Sequence, residues 1–426
     1  MRPANAKASA NAVSPLYRNY VLVMLTIVYV FNFIDRQLLV ILQEAIKKEL
    51  DLKDTQLGLL SGFTFAIFYV TMGIPIARLA DRSNRRNIVA ISLALWSAMT
   101  AVSGLARNFV QLLLARIGVG IGEAGGSPPA HAMISDYFPP EKRATALSVY
   151  SMGIYFGILI GFLMGGYLNE TLGWRTAFFV LGIPGVVFAL LLSLTVKEPT
   201  RGATDVQSSS ETADHSLRDV LKLLYSKKTF VYVALAGGFQ AFCIYGLTNW
   251  APSFLSRLHG MTNSQIGISL GLIFGIGGGL GTYAGGFLTD RFGKSDQRWY
   301  MKIPAYAVIG SILFLVIGLF ANDAVIATAS IGICSMLYSM YLGPSIAVAH
   351  KLVPASMRAF SSAIFFLVVN LVGLGFGPLT VGAISDLLNP TLGVESLRWA
   401  MLVVSVTSVG AAWCFLASAR SMNVAS

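Results

Sequence analysis

Residues 115–129 read ARIGVGIGEAGGSPP, and the fold turns on how they are read. Gly120-x-Gly122-x-x-Gly125 is a literal match to the dinucleotide fingerprint, whose glycines bring a backbone close to a pyrophosphate at the start of a helix. That reading needs a preceding strand, a soluble βαβ unit and a ribose-binding acid about 20 residues further on. Asp136 is too close, and the flanking runs are apolar and of membrane length. On a membrane helix, glycines at this spacing let a second helix approach closely. The stretch is therefore read as helix in hydrocarbon, and its Arg116 and Glu123 as charges buried there.

Composition supports that reading. The 426 residues are 55% hydrophobic and 12% charged, with a mean hydropathy of +0.67, whereas soluble domains carry about 25% charged residues. Apolar runs of about 20 residues, enough to cross a bilayer, recur at 20–42, 55–78, 87–106, 109–134, 144–167, 173–196, 228–255, 263–288, 302–320, 324–349, 359–385 and 397–418. Numbered as spans 1 to 12, they predict an all-α polytopic membrane protein. The net charge of +11 is topological and not a nucleic-acid surface. With the N-terminus placed in the cytoplasm and residues at the span ends counted with the adjoining loops, 22 of the 31 Lys and Arg fall in cytoplasmic segments, 7 in external ones and 2, Arg36 and Arg116, inside spans. This positive-inside bias and the even span count predict a multi-pass protein of the cell (inner) membrane with both termini cytoplasmic. No cleavable signal is read, because Ala8-Ser9-Ala10 precedes the first apolar run instead of following it.

The most polar long stretch, residues 197–228, reads KEPTRGATDVQSSSETADHSLRDVLKLLYSKK. Its first part has linker composition. Its second predicts a short interfacial helix opened by a Ser216-x-x-Asp219 capping box, with Leu217, Val220, Leu221 and Leu224 on one face. The stretch divides the chain into a six-span half at 1–196, a linker at 197–227 and a second six-span half at 228–426. The halves echo each other. Asp81-Arg82-Ser83-Asn84-Arg85-Arg86 after span 2 matches Asp290-Arg291-Phe292-Gly293-Lys294 after span 8. Pro139-x-x-x-Arg143-Ala144 matches Pro354-x-x-x-Arg358-Ala359, and Trp174-Arg175 matches Arg398-Trp399. Three correspondences in one order predict an internal duplication.

Twelve spans, a six-plus-six repeat, a polar central loop and D-R-x-[GN]-[RK] after spans 2 and 8 resemble the major facilitator superfamily. The resemblance implies two pseudo-symmetric six-helix bundles rocking about a site near the midplane. It also implies a cytoplasmic latch, which we assign to Asp81, Arg82, Arg85, Asp136, Arg143, Asp290 and Arg291. Asn84 and Gly293 are expected to supply the left-handed backbone of a tight turn. The motif's usual glycine is Ala77 in the first half and is kept as Gly286 in the second.

Arg116 and Glu123 are seven residues apart, almost two turns, so they share a face about 10 Å apart along the axis. Span 1 carries its own pair, Asp35-Arg36. Counting residues from the outer ends puts Asp35 and Arg116 at similar depth, roughly 10 Å below the outer surface, so these two are expected to pair, with Glu123 deeper. An ionisable residue in mid-span costs roughly 2.5–3.5 kcal/mol on insertion scales and normally faces a cavity or a partner. Left without its own cation, Glu123 is the expected proton-coupling site together with Asp35, and Arg116 alternates between the two carboxylates. Arg36 and Arg116 are expected to bind substrate. The second half offers Tyr245, Asn249, Tyr338, Tyr341 and Asn370 as the opposite wall, alongside Gln240 and Trp250. A cavity charged on one side and aromatic, amide and apolar on the other suits an amphiphile.

A closer resemblance rests on Asp35-Arg36, GLLSGFTFAIFY (58–69), LADRSNRR (79–86), WSAMT (96–100) and RIGVGIGEAG (116–125). Together these resemble the Spinster family of lysolipid and sphingolipid transporters, and Pro128-Pro129 resembles its bacterial members. The resemblance implies that the family's charged site falls on Asp35, Arg36, Arg116 and Glu123, that the cargo is a lysolipid or similar amphiphile, and that protons drive it. An organic-anion or drug:proton antiporter would use the same four charges. A receptor or a membrane enzyme is the contrasting class, but no nucleophile–base pair is present. His131, His215, His259 and His350 lack metal-ligand spacing, Cys243, Cys334 and Cys414 stand singly in three spans, and neither a cofactor nor a metal is expected. A monomer is the expected state.

Overall fold

The computed structural model describes residues 14–202, 217–354 and 357–422. Among these residues every regular element is helical. Ten helical stretches are long and apolar enough to cross a membrane: Pro15–Leu50, Asp54–Arg82, Arg85–Ser103, Phe109–Tyr137, Pro140–Thr195, Lys228–His259, Asn263–Gly293, Trp299–Phe320, Ala324–Lys351 and Phe360–Ser421. Two of them, 56 and 62 residues long, each turn back once. Gly173 (φ 81°, ψ 161°) interrupts the first and Gly393 (φ 55°, ψ −129°) the second. A residue with a Cβ is strained at such positive φ, and each of these reversals adds a crossing, so the ten stretches make the twelve spans. Large apolar side chains such as Ile91, Leu194, Leu313 and Val325 point outward, exposed by 61–74%. That belt would be a liability in water and is normal against lipid.

The glycines of the opening stretch serve packing. A side chain at Gly122 would run into the backbone of Trp96 in span 3, and one at Gly120 into Phe65 of span 2. Gly153, Gly157, Gly161 and Gly165 of span 5 lie along span 1, against Thr26, Val30, Ile34 and Ile41 in turn. Span 4 is not continuous. Its first helix ends at Glu123, Ala124–Gly126 form an irregular turn, and a second helix starts at Ser127 with Pro128 and Pro129 in its first turn. Proline has no N–H to donate and is at home only at a helix start, so the pair forces the break and leaves Glu123 at its edge.

The six spans before the linker pack mainly on one another, and so do the six after it. The bundles meet where span 2 crosses span 11 and span 5 crosses span 8. Three of these four spans loosen into π-helical turns at the crossing, at Leu59–Phe63, Gly271–Gly277 and Val369–Phe376. Gly166 and Gly267 bring spans 5 and 8 so close that a methyl group on either would overlap the facing backbone. Two faces follow: a linker face, which carries both ends of residues 197–227, and the face opposite.

Two local expectations are corrected. Neither Asn84 nor Gly293 is left-handed. Asn84 (φ −71°, ψ 110°) is the N-cap of span 3, its side chain accepting from the Asn87 N–H at 2.9 Å. Gly293 is required by the Tyr300 ring, which occupies the space a Cβ would need. The linker helix forms at Leu217–Ser226, and Leu224 buries against Phe230, Ala349, Val353 and Met357 of the second bundle. It docks on protein, because the ends of spans 7, 10 and 11 offer that apolar patch. Ser216 of the proposed capping box lies outside the described residues.

Candidate functional site

Asp35, Arg36, Arg116 and Glu123 come together inside the first bundle, but not in the expected pairs. Arg36 Nε donates to Glu123 Oε2 at 2.8 Å, with the glutamate side chain fully buried and the arginine 16% exposed. Adjacent residues on a helix diverge by 100°, so Arg36 and Asp35 cannot both face span 4 from the same side. Arg36 takes Glu123, and Asp35 turns towards Arg116 and Thr100 without a direct hydrogen bond to either. The expected Asp35–Arg116 salt bridge is therefore replaced by an Arg36–Glu123 one, and Glu123 does have a cation. Asp35 is completely buried, and neither of its carboxylate oxygens has a partner among the described residues.

Aromatic rings hold the two guanidinium groups. Arg36 lies over Phe33, Phe65 and Tyr69 at 5.1, 4.8 and 5.2 Å from their centroids, and Arg116 over Phe65 at 5.8 Å. Cation–π contact orients a desolvated arginine without committing its N–H groups. Tyr245, from the second bundle, faces Arg36 and Tyr69 across the cleft.

The other second-half candidates lie elsewhere. Asn249 turns its amide onto the Tyr245 carbonyl at 2.8 Å, while its own carbonyl accepts from Gln43 of the first bundle at 2.8 Å, so it belongs to the seal between bundles. Tyr338 is buried in the second bundle, with Cys243 Sγ at 3.2 Å and Ser408 Oγ at 3.1 Å. Tyr341 packs against Phe415, and Asn370 is half-buried in the π-helical turn of span 11. Gln240 is fully buried, and Trp250 donates to the Pro378 carbonyl at 2.9 Å.

The gate residues of the first half bond to one another and to the start of the linker. Arg85 ties Asp136 (2.6 Å) to Glu198 (2.8 Å), Asp136 also accepts from the Gly202 N–H, and Asp81 offers its carbonyl to Arg201. Arg82 and Arg291 are exposed, Arg143 is half-buried at the start of span 5, and Asp290 accepts from Tyr300 at 3.2 Å. Arg85 is 5% exposed, so Arg85→Ala would leave two carboxylates without their cation. Truncating one partner of a buried pair costs about 3–5 kcal/mol. The expected result is a clear fall in the midpoint of thermal unfolding in detergent, which Arg85→Lys only partly restores.

Hydrogen bonds and ion pairs between the bundles, among the described residues, lie at mid-depth or on the opposite face. At mid-depth Tyr155 donates to Thr282 at 2.8 Å. On the opposite face Arg257 of span 7 binds Glu44 and Asp54, both at 2.7 Å, and Lys47 also pairs with Asp54. Ser385 donates to Asp54 at 2.7 Å. Asp386 of span 11 accepts the Asp54 and Thr55 N–H groups at 3.0 and 2.7 Å, capping span 2 across the interface. Gln43 donates to Ser253 at 2.6 Å. Towards the linker face the bundles part, with open space beside Gly73 and Ile74, Met152, Tyr283 and Phe287 exposed. The charged cluster thus lies in a cleft open to the linker face and sealed opposite. Gln43, Glu44 and Lys47 fall beyond the expected end of span 1 at 42; nothing between there and Asp51 breaks the helix, and that continuity is the signal in the sequence for these three.

This is the architecture of a secondary transporter, and residues 25–378 match the family profile of the Major Facilitator Superfamily. The chain is 36% identical over 399 residues to an "MFS-type efflux pump" of Mycolicibacterium smegmatis, covering 93% of this chain and 92% of that one. It is 30% identical over 387 residues to "Protein spinster homolog 1" of Mus musculus, covering 87% and 73%. Its structure superposes with a TM-score of 0.88, at 32% identity over 96% of this chain and 98% of the other, on a bacterial homologue of the human lysosomal transporter Spinster in an inward-facing, unoccupied conformation. The chain belongs to the Spinster family of the Major Facilitator Superfamily. Fold and relatives are those of transporters and not of enzymes.

Proposed function

We propose that this transporter works by proton-coupled alternating access and moves a lysolipid-like amphiphile, with Glu123 and Asp35 as the proton-accepting pair. The Arg36–Glu123 ion pair beside the unpartnered Asp35, at the closed end of a one-sided cleft, carries this reading. An ionised carboxylate buried without a bonded cation costs several kcal/mol, and a proton removes that cost. Protonating Glu123 loosens its hold on Arg36, which then has N–H groups to offer an acidic head group. The positive-inside bias supports placing the linker face and both termini in the cytoplasm, so the structure corresponds to an inward-open state. In the same reading the residue 81–86 and 290–294 loops close that face when the bundles rock, and the protein acts as a monomer in the cell membrane.

An organic-anion or drug:proton antiporter is the second reading, favoured by the likeness to an efflux pump. The two separate in proteoliposomes carrying an imposed pH gradient. A labelled lysolipid is expected to accumulate under the gradient and only equilibrate without it. Gradient-driven movement of a tailless organic acid, with no lysolipid flux, would move the assignment to the second reading. Flux indifferent to the gradient would overturn proton coupling.

A further inference from the structure

Beyond the break at Ala124–Gly126, and nearer the linker face than Glu123, the second helix of span 4 carries His131. The residue is exposed. Its ring meets Tyr150 of span 5 edge-on with centroids 5.1 Å apart, and Tyr150 stacks on Tyr29 of span 1 at 4.4 Å and 7°. Ser127, one turn before His131, lies near both Tyr29 and Tyr150. Tyr29 in turn acts on Tyr69 and Arg36. A polar wall therefore runs from the cleft's mouth at His131 to the Arg36–Glu123 pair at its end.

Packing does not account for His131. Tyr150 is 1% exposed and fills the space behind it, while the imidazole keeps an open edge and makes no hydrogen bond or ion pair with a described residue. Tyr150 faces it from span 5, with Tyr29 behind from span 1, and no Asp, Glu, Lys or Arg acts on it from either element. Asp136, the next acid along span 4, is held by Arg85 and the Gly202 N–H. An accessible imidazole with no partner on its own chain is a hydrogen-bond donor for an acceptor arriving from the cleft.

We propose that His131 contacts the cargo directly, receiving an acidic head group, phosphate or carboxylate, at the mouth of the cleft before that group reaches Arg36. This rests on the cleft being the cargo route, but not on Glu123 carrying the proton. The test is equilibrium binding to the full-length protein in nanodiscs, near pH 5.5 and pH 8, with three probes: a lysophosphatidate, a tailless dicarboxylate and an uncharged monoacylglycerol. His131→Gln is expected to weaken the acidic probes at least about fivefold at the lower pH, the loss of a charge-assisted hydrogen bond, and to change little at the higher pH or for the monoacylglycerol. An effect on lysophosphatidate alone identifies a lipid head group, and one on the dicarboxylate alone a free organic acid. Unchanged affinity for both acidic probes at pH 5.5, or no binding of either to the wild type, overturns the proposal. Diethylpyrocarbonate labelling of wild-type His131, read by mass spectrometry, should be suppressed by the acidic probe, and full labelling in its presence overturns the proposal even if the variant misfolds. The same binding and gradient-driven uptake in proteoliposomes, both measured on Glu123→Gln, keep the two readings apart: if that variant still transports under a pH gradient, the coupling assignment falls and the His131 result stands.

Discussion

Glu123→Gln is expected to abolish pH-driven accumulation of cargo while leaving cargo-for-cargo exchange in place. The amide keeps the length of the glutamate and an oxygen for Arg36 Nε, which lies 2.8 Å from Oε2 in the wild type, but it can neither lose nor gain a proton. Coupling free energies between two ligands are typically 1–3 kcal/mol, about 5- to 150-fold, so the accumulation ratio should fall by a factor in that range, to unity. Exchange should also lose the part of its pH dependence that Glu123 supplies. The measurement is labelled-cargo uptake and counterflow in proteoliposomes. A variant that still concentrates cargo as the wild type does would exonerate Glu123, and Asp35→Asn in the same assay would then ask whether the neighbouring buried carboxylate carries the proton.

Arg257→Ala is expected to shift the protein towards the state open at the opposite face. The Arg257 bonds to Glu44 and Asp54, at 2.7 Å each, cross between bundles, so they exist only while that face is closed. Only interactions that differ between two states move the equilibrium between them. Removing the guanidinium leaves Asp54, its side chain 3% exposed, with Lys47 as its remaining cation. A loss near the low end of the buried-pair range, about 3 kcal/mol, is roughly a 150-fold change in the ratio of states. Spin labels at the exposed Arg107 and Asn322, one on each bundle at the opposite face, report it by pulsed dipolar spectroscopy. The distance distribution should gain a longer component in the variant, and Arg257→Lys should partly reverse it. An unchanged distribution together with a lower unfolding temperature would make the network a structural clamp with no part in gating.

If both results hold, the cycle has a physical outline. Burying Arg36 and Glu123 as a pair stabilises the empty site, a proton on the glutamate frees the arginine for cargo, and the Arg257–Glu44–Asp54 network sets how much of that energy is needed to open the other face.

Crossing a bilayer is a property of the chain read in one dimension, and the sequence determined it. Length of apolar run, the placing of Lys and Arg, and the repeat of the Asp81 and Asp290 loops were enough for twelve spans in two halves. The cost of burying an ionisable side chain also reads along the chain, which is why Asp35, Arg36, Arg116 and Glu123 stood out. Partner choice is different. It depends on how far each helix is rotated about its axis, and 100° between neighbours decides that Arg36, and not Asp35, faces span 4. The inter-bundle seal at Gln43, Glu44, Asp54, Arg257 and Asp386, and the exposure of His131, depend likewise on where two helices meet, whereas the break at Ala124–Gly126 follows locally from Pro128-Pro129. Tyr338 shows the limit most simply. In sequence it is a polar ring on an apolar span, fit for a cavity wall, and only the packing of spans 7, 10 and 12 around it turns its hydroxyl to Cys243 and Ser408 and takes it out of the cleft.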